Sequence, residues 1–133
     1  MKISILLPYK ENFSPLYPGA ISIFLNGIIS KSKYKNKITV YGNTKYRKKL
    51  NNNYINLNIK KTFLKSSTKS YLDSFIKKEF KNKSDLIEIH NRPKYINFLS
   101  KFFNIFFLFF HNDPIDMEDS KTITQRINLL DKT

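Results

Sequence analysis

The chain predicts an α/β fold built on a doubly wound, mostly parallel sheet, and three observations carry that expectation. Apolar segments of strand length alternate with longer segments whose apolar residues recur at helical spacing. Residues 105–110, Ile-Phe-Phe-Leu-Phe-Phe, form a continuous apolar run, the pattern of a strand buried on both faces beneath helices. Two such strands, 85–89 and 105–110, end alike, in His90-Asn91 and in His111-Asn112. A parallel sheet sets both histidines on its carboxyl rim, where ligands bind in open α/β sheets.

The elements follow in order. Residues 2–7 are apolar and β-branched enough for a first strand, and 8–18 is a loop with three prolines. Gly19 opens a helix whose Ile21, Phe24, Leu25, Ile28 and Ile29 share one face. Strand, loop, glycine and helix in that order leave free N–H groups at the positive end of the helix dipole over residues 18–22, a natural anion site. The alternative is that Gly19 only lets the loop turn or the helix pack closely on the sheet. Residues 37–41 read as a second strand ended by Gly42-Asn43. Residues 54–59 alternate Ile55, Leu57 and Ile59 with Asn56 and Asn58, which suits a strand nearer the edge. A helix over 66–81 gathers Leu72, Phe75, Ile76 and Phe80, with lysines elsewhere on its surface. After the strand at 85–89, Pro93 suits a helix's first turn, and Tyr95, Phe98, Leu99 and Phe102 line one side. The last helix, 120–130, is marked by Ile123, Ile127 and Leu130. No repeat or low-complexity linker interrupts the 133 residues, so one domain is expected.

Composition narrows the chemistry. There is no cysteine, which excludes disulfides and thiolate metal sites, and two histidines are too few for a histidine-rich one. The start is too short for a secretory signal. The longest apolar stretch, 102–110, is broken by Asn104 and falls far below the roughly 20 residues of a membrane span. Net charge is +14, from 24 Lys+Arg against 10 Asp+Glu. Nucleic acid or anionic lipid would answer such a charge. Biased codon usage answers it as well, since alanine occurs once, glycine three times and arginine three times. The lysines keep no register with Tyr46, Tyr54, Tyr71 and Tyr95, which argues against a nucleic-acid surface. No Gly-x-Gly-x-x-Gly run follows the first strand, so no dinucleotide cofactor is expected.

With those residues in view, the chain resembles the N-terminal domain of family 4 glycosyltransferases, the retaining group with the two-domain GT-B fold. The matching stretches are the loop 8–18 leading into Gly19-Ala20-Ile21-Ser22, the strand end Glu88-Ile89-His90-Asn91-Arg92-Pro93, and Phe109-Phe110-His111-Asn112-Asp113-Pro114. Pro18 stands where the family often carries a second glycine. The resemblance implies a Rossmann-like domain over residues 1–133, one half of a GT-B fold, serving cell-envelope polysaccharide biosynthesis. It implies that Gly19 and Ala20 face the donor diphosphate and that His111 is the catalytic residue beside the transferred sugar. His90, Asn91, Arg92, Asn112 and Asp113 would line the acceptor side.

The implied reaction moves a sugar from a nucleotide sugar to a glycan or lipid-linked acceptor by front-face attack. The protein positions the acceptor and stabilises the leaving diphosphate. No cofactor and no metal are expected, and Asp113-Pro-Ile-Asp116 lacks the spacing of a metal-binding DxD. In the family a C-terminal domain holds most of the nucleotide, so a C-terminally incomplete fragment is expected, with half a cleft and no turnover alone. The expected location is cytoplasmic, free or peripheral at the inner face of the cell membrane. The rival expectation is a basic nucleic-acid-binding domain or another nucleotide-using Rossmann-like domain.

Overall fold

A computed structural model describes residues 1–60 and 63–133. Five strands form one all-parallel sheet: β1 (Ile3–Leu6), β2 (Ile38–Gly42), β3 (Tyr54–Asn56), β4 (Leu86–His90) and β5 (Phe106–Phe109). Their spatial order is β3-β2-β1-β4-β5, so the order reverses between β1 and β4, as in a Rossmann-like doubly wound fold. The helices are α1 (Ala20–Lys31), α2 (Ser67–Asn82), α3 (Pro93–Leu99) and α4 (Ile123–Leu130). Among the described residues no helix is long and apolar enough to cross a membrane.

The two faces of the sheet are covered unequally. Strand residues alternate between faces. Leu6, Tyr41, Ile87, Ile89 and Phe106 belong to a core completed by Tyr71, Leu72 and Phe75 of α2 and by Tyr95, Ile96 and Leu99 of α3. Ile5, Leu7 and Val40 turn the other way, onto Ile21, Leu25 and Ile29 of α1. The register pairs Ile5 with Glu88, Glu88 with Phe107, and His90 with Phe109. All five belong to the α1 face, on which β4 and β5 carry Glu88, His90, Phe107 and Phe109.

Four sequence expectations change here. Residues 105–110 are not buried on both faces. β5 is an edge strand, with Ile105 and Phe107 exposed, because α1 packs over β1 and β2 and meets β5 through Phe24 at its margin, against Phe109. Ile55 and Leu57 do not share a face: β3 ends at Asn56, and Leu57 is buried while Ile55 is exposed. The stripe Ile123, Ile127 and Leu130 of α4 faces outward, and Leu129 makes the buried contact instead. The reading of α2 placed Phe80 in its core. The ring is exposed, and its neighbour Glu79 is buried.

Glu79 explains how α2 is fastened. One carboxylate oxygen accepts from Ser4 Oγ of β1 at 2.6 Å, and the other accepts from Ser84 N at 2.7 Å and from Ser84 Oγ. The C-terminus of α2, where Lys83 takes a left-handed conformation, is thereby tied to the first strand. Burial, reinforced by the nearby Glu79 charge, pushes the Tyr41 phenol up to about 12. Removing the carboxylate leaves the buried Ser4 hydroxyl and the half-buried Ser84 N–H and hydroxyl without their acceptor, and such a loss destabilises strongly. We expect Glu79→Ala to cost about 3 kcal/mol, read as a lower urea midpoint. Asp73→Ala removes only the exposed pair with Lys65 and should shift it little. An unchanged midpoint for Glu79→Ala contradicts the fastening role.

Candidate functional site

The parallel register brings the two histidines together. His90 is the last residue of β4, opposite Phe109, and His111 lies two residues beyond Phe109. His90 Nδ1 and His111 Nε2 are 2.8 Å apart, and the two rings stack with centroids 5.1 Å apart. His90 Nε2 lies 2.6 Å from Glu88 Oε1, two residues back on the same face of β4. His90 is fully buried, while His111 is exposed. Glu88, His90 and His111 thus run as a chain from the interior of the sheet face to its carboxyl rim. The His111 ring is framed by Phe109 and by Phe24 of α1, whose ring meets it edge-on at 4.9 Å.

Asn91 holds this arrangement. Its backbone takes a left-handed conformation, with φ 51°, which asparagine tolerates better than most residues. Its N–H donates to Phe109 O at 2.9 Å, extending the ladder by one bond. Its side-chain oxygen accepts from His111 N at 2.7 Å, and its amide donates to Asn112 Oδ1 at 3.2 Å. The exposed Arg92 donates to the Asn91 carbonyl. Asp113 turns back on its own chain, accepting from Ile115 N to start a short 3₁₀ turn.

Gly19 precedes α1, but the space before it is filled. The Glu11 carboxylate packs against the Gly19 backbone and accepts from Ser22 N at 3.0 Å, in the helix's first turn. A Cβ on Gly19 would lie 1.9 Å from Glu11 Oε1, so the close approach of this carboxylate requires glycine there. Ala20 follows as the first, exposed residue of the helix. The anion expected at this helix end is therefore the chain's own Glu11.

Two clefts open on the same rim and share Tyr9. One, of about 710 Å³, is bounded by Tyr9, Lys69, Arg92, Tyr95, Phe98 and Glu118. The other, of about 460 Å³, lies between the β1–α1 loop and the segment after β2, with Tyr17 and Tyr46 among its walls. Asn91 borders the larger cleft and bonds the His111 backbone, so the histidine pair and this cleft are joined through one residue. Among the described residues no group of three His, Asp or Glu side chains is arranged to hold a metal ion.

All the residues anticipated from sequence therefore lie on the carboxyl rim. His111, Asn91 and Asn112 interlock directly with His90. The buried His90 ring reaches outward through His111. Arg92 bonds the Asn91 carbonyl and lies beside the Tyr95 hydroxyl, Asp113 bonds only backbone, and Gly19 lies against Glu11. Sequence reasoning missed Glu11 and the part played by Glu88. Glu88 had a usable signal, because its i, i+2 spacing from His90 in a strand puts both on one face. Glu11 had none, being one acidic residue in a loop. No family model matches the chain, and no curated protein or solved structure is significantly similar to it.

Partial burial and the neighbouring His90 hold the His111 imidazole below its ordinary value of 6.5, while Glu11 and Glu88 pull the other way. A histidine depressed in the folded state binds its proton more readily once unfolded. Its contribution to stability is full above 6.5 and is lost as pH falls from there through the folded value. Imidazole signals followed by NMR should give His111 a midpoint below 6.5, and Glu11→Gln should lower it further. A midpoint at or above 6.5 contradicts this electrostatic picture.

Proposed function

We propose that this chain is the acceptor-side domain of a retaining glycosyltransferase that uses a nucleotide sugar. The observation that carries the reading is the exposed His111, seated on the carboxyl rim beside the β1–β4 reversal and braced by Asn91 and His90. The order of the motifs along the chain supports the same reading. On it, a glycan or lipid-linked acceptor reaches the carboxyl rim beside His111, which holds the attacking hydroxyl by a hydrogen bond. The acceptor oxygen bonds to the sugar's anomeric carbon as the bond to the diphosphate breaks. The diphosphate leaves with that electron pair and takes up the hydroxyl proton.

Glu11 bears on the donor side. Its carboxylate lies where a diphosphate would approach Ser22 N, and two anions there repel. A donor phosphate would have to displace Glu11 from the first turn of α1 or bind farther out. In the family this chain resembles, a second domain carries the nucleotide. A helix start already occupied by carboxylate fits a division in which this domain meets the acceptor and the sugar end of the donor, with weak phosphate contact, and a second domain holds most of the nucleotide.

Isotope-labelled protein provides the test. Millimolar UDP-glucose or GDP-mannose should move the backbone amide signals of Ala20, His111 and Asn112, and a short single-stranded oligonucleotide should leave them in place. If neither sugar nucleotide moves them, or if the oligonucleotide shifts the lysine-bearing surface of α2 instead, the glycosyltransferase reading fails.

A further inference from the structure

We propose that Glu88 is a positioning residue that fixes, through the buried His90, which nitrogen of His111 is left unpaired at the carboxyl rim. An ionised carboxylate only accepts hydrogen bonds, so Glu88 Oε1 requires a proton on His90 Nε2, 2.6 Å away. A neutral His90 then has its lone pair on Nδ1. The partner 2.8 Å from that lone pair is His111 Nε2, which must carry the proton. His111 is left with a lone pair on Nδ1, and none of the described residues bonds that atom. The exposed end of the chain is therefore an acceptor, suited to a donating hydroxyl.

The arrangement is secured from several sides. His90 is fully buried and stacks on Phe109, so its ring is held against both partners. Asn91 fixes the His111 backbone. The titratable groups around the His111 ring are Glu88 and His90 from β4 and Glu11 from the β1–α1 connection. α1 and β5 present only the Phe24 and Phe109 rings. A polar pair on an otherwise apolar sheet face costs stability unless every ring nitrogen inside is bonded. Both nitrogens of His90 are, which is how β4 tolerates an imidazole there. The link from this tautomer to sugar transfer rests on the glycosyltransferase reading; the tautomer itself does not.

The experiment is long-range proton–nitrogen correlation of the histidine rings in the unliganded full chain, above the pH at which they protonate. In the wild type both His90 and His111 should be the Nε2–H tautomer. Glu88→Leu removes the acceptor, and the Nδ1–H form of His111 should become populated. Glu88→Gln keeps a carbonyl to accept from His90 and removes the charge, so the tautomer should persist while the His111 midpoint shifts downward. An Nδ1–H His111 in the wild type overturns the proposal. So does a folded Glu88→Leu chain that stays wholly Nε2–H. If Glu88→Leu does not fold, the wild-type spectra decide alone: an Nδ1–H proton on either ring sinks the proposal. These spectra need no substrate, so failure here is distinguishable from failure of the sugar-nucleotide titration.

Discussion

The parallel register of β4 against β5 is the constraint on which the rim depends. Pairing His90 with Phe109 leaves each chain to continue past the last ladder bond from the same height. Asn91 N then bonds Phe109 O, and Asn91 Oδ1 reaches His111 N. A slip of one residue would turn Glu88, His90, Phe107 and Phe109 to the opposite face, since side chains alternate with a period of two. That face is filled by α2 and α3, whose aliphatic and aromatic side chains pack against Ile87, Ile89 and Phe106. The apolar identity of Ile87, Ile89 and Phe106 thus holds the polar residues in place from behind.

Unequal cover of the two faces makes the site accessible. α2 and α3 close one side of the sheet, while α1 lies over β1 and β2 on the other. What remains uncovered on the α1 side is the β4–β5 half, and there the chain places Glu88, His90, Phe107 and Phe109. Phe24, at the margin of α1, closes the gap by meeting both Phe109 and His111. Its partial exposure, with that of Ile28, departs from the fully inward helix face that the spacing suggests. The cause is the same shortage of cover. The helix is wider in apolar residues than the surface it sits on, and the surplus borders the site.

Strand and helix identity was legible because each element's period was clear and because Pro8, Pro93 and the glycines punctuate them. That both histidines share the carboxyl rim followed from the doubly wound pattern, while their direct contact came only with the register of β4 against β5. Burial depth was less legible. Residues 105–110 look like a central strand because hydrophobicity records what a strand could bury, and position in the sheet decides what it does bury. The α4 stripe misled for the same reason. The polar interior was least legible. Glu79 sits in a lysine-rich helix and reads as one more surface charge until Ser4 and Ser84 arrive from distant sequence. Glu11 is invisible for a similar reason, since only the folded loop sets it over Gly19.

The central claim is that two histidines distant in sequence share one hydrogen bond at the carboxyl rim. Scalar coupling transmitted across that bond, from His90 Nδ1 to His111 Nε2 in nitrogen-labelled protein, reports it directly. The account predicts a cross-peak between those two nitrogens in the wild type and its loss in Asn91→Ala, where the His111 backbone loses its anchor. Well-resolved ring signals with no cross-peak in the wild type would contradict it.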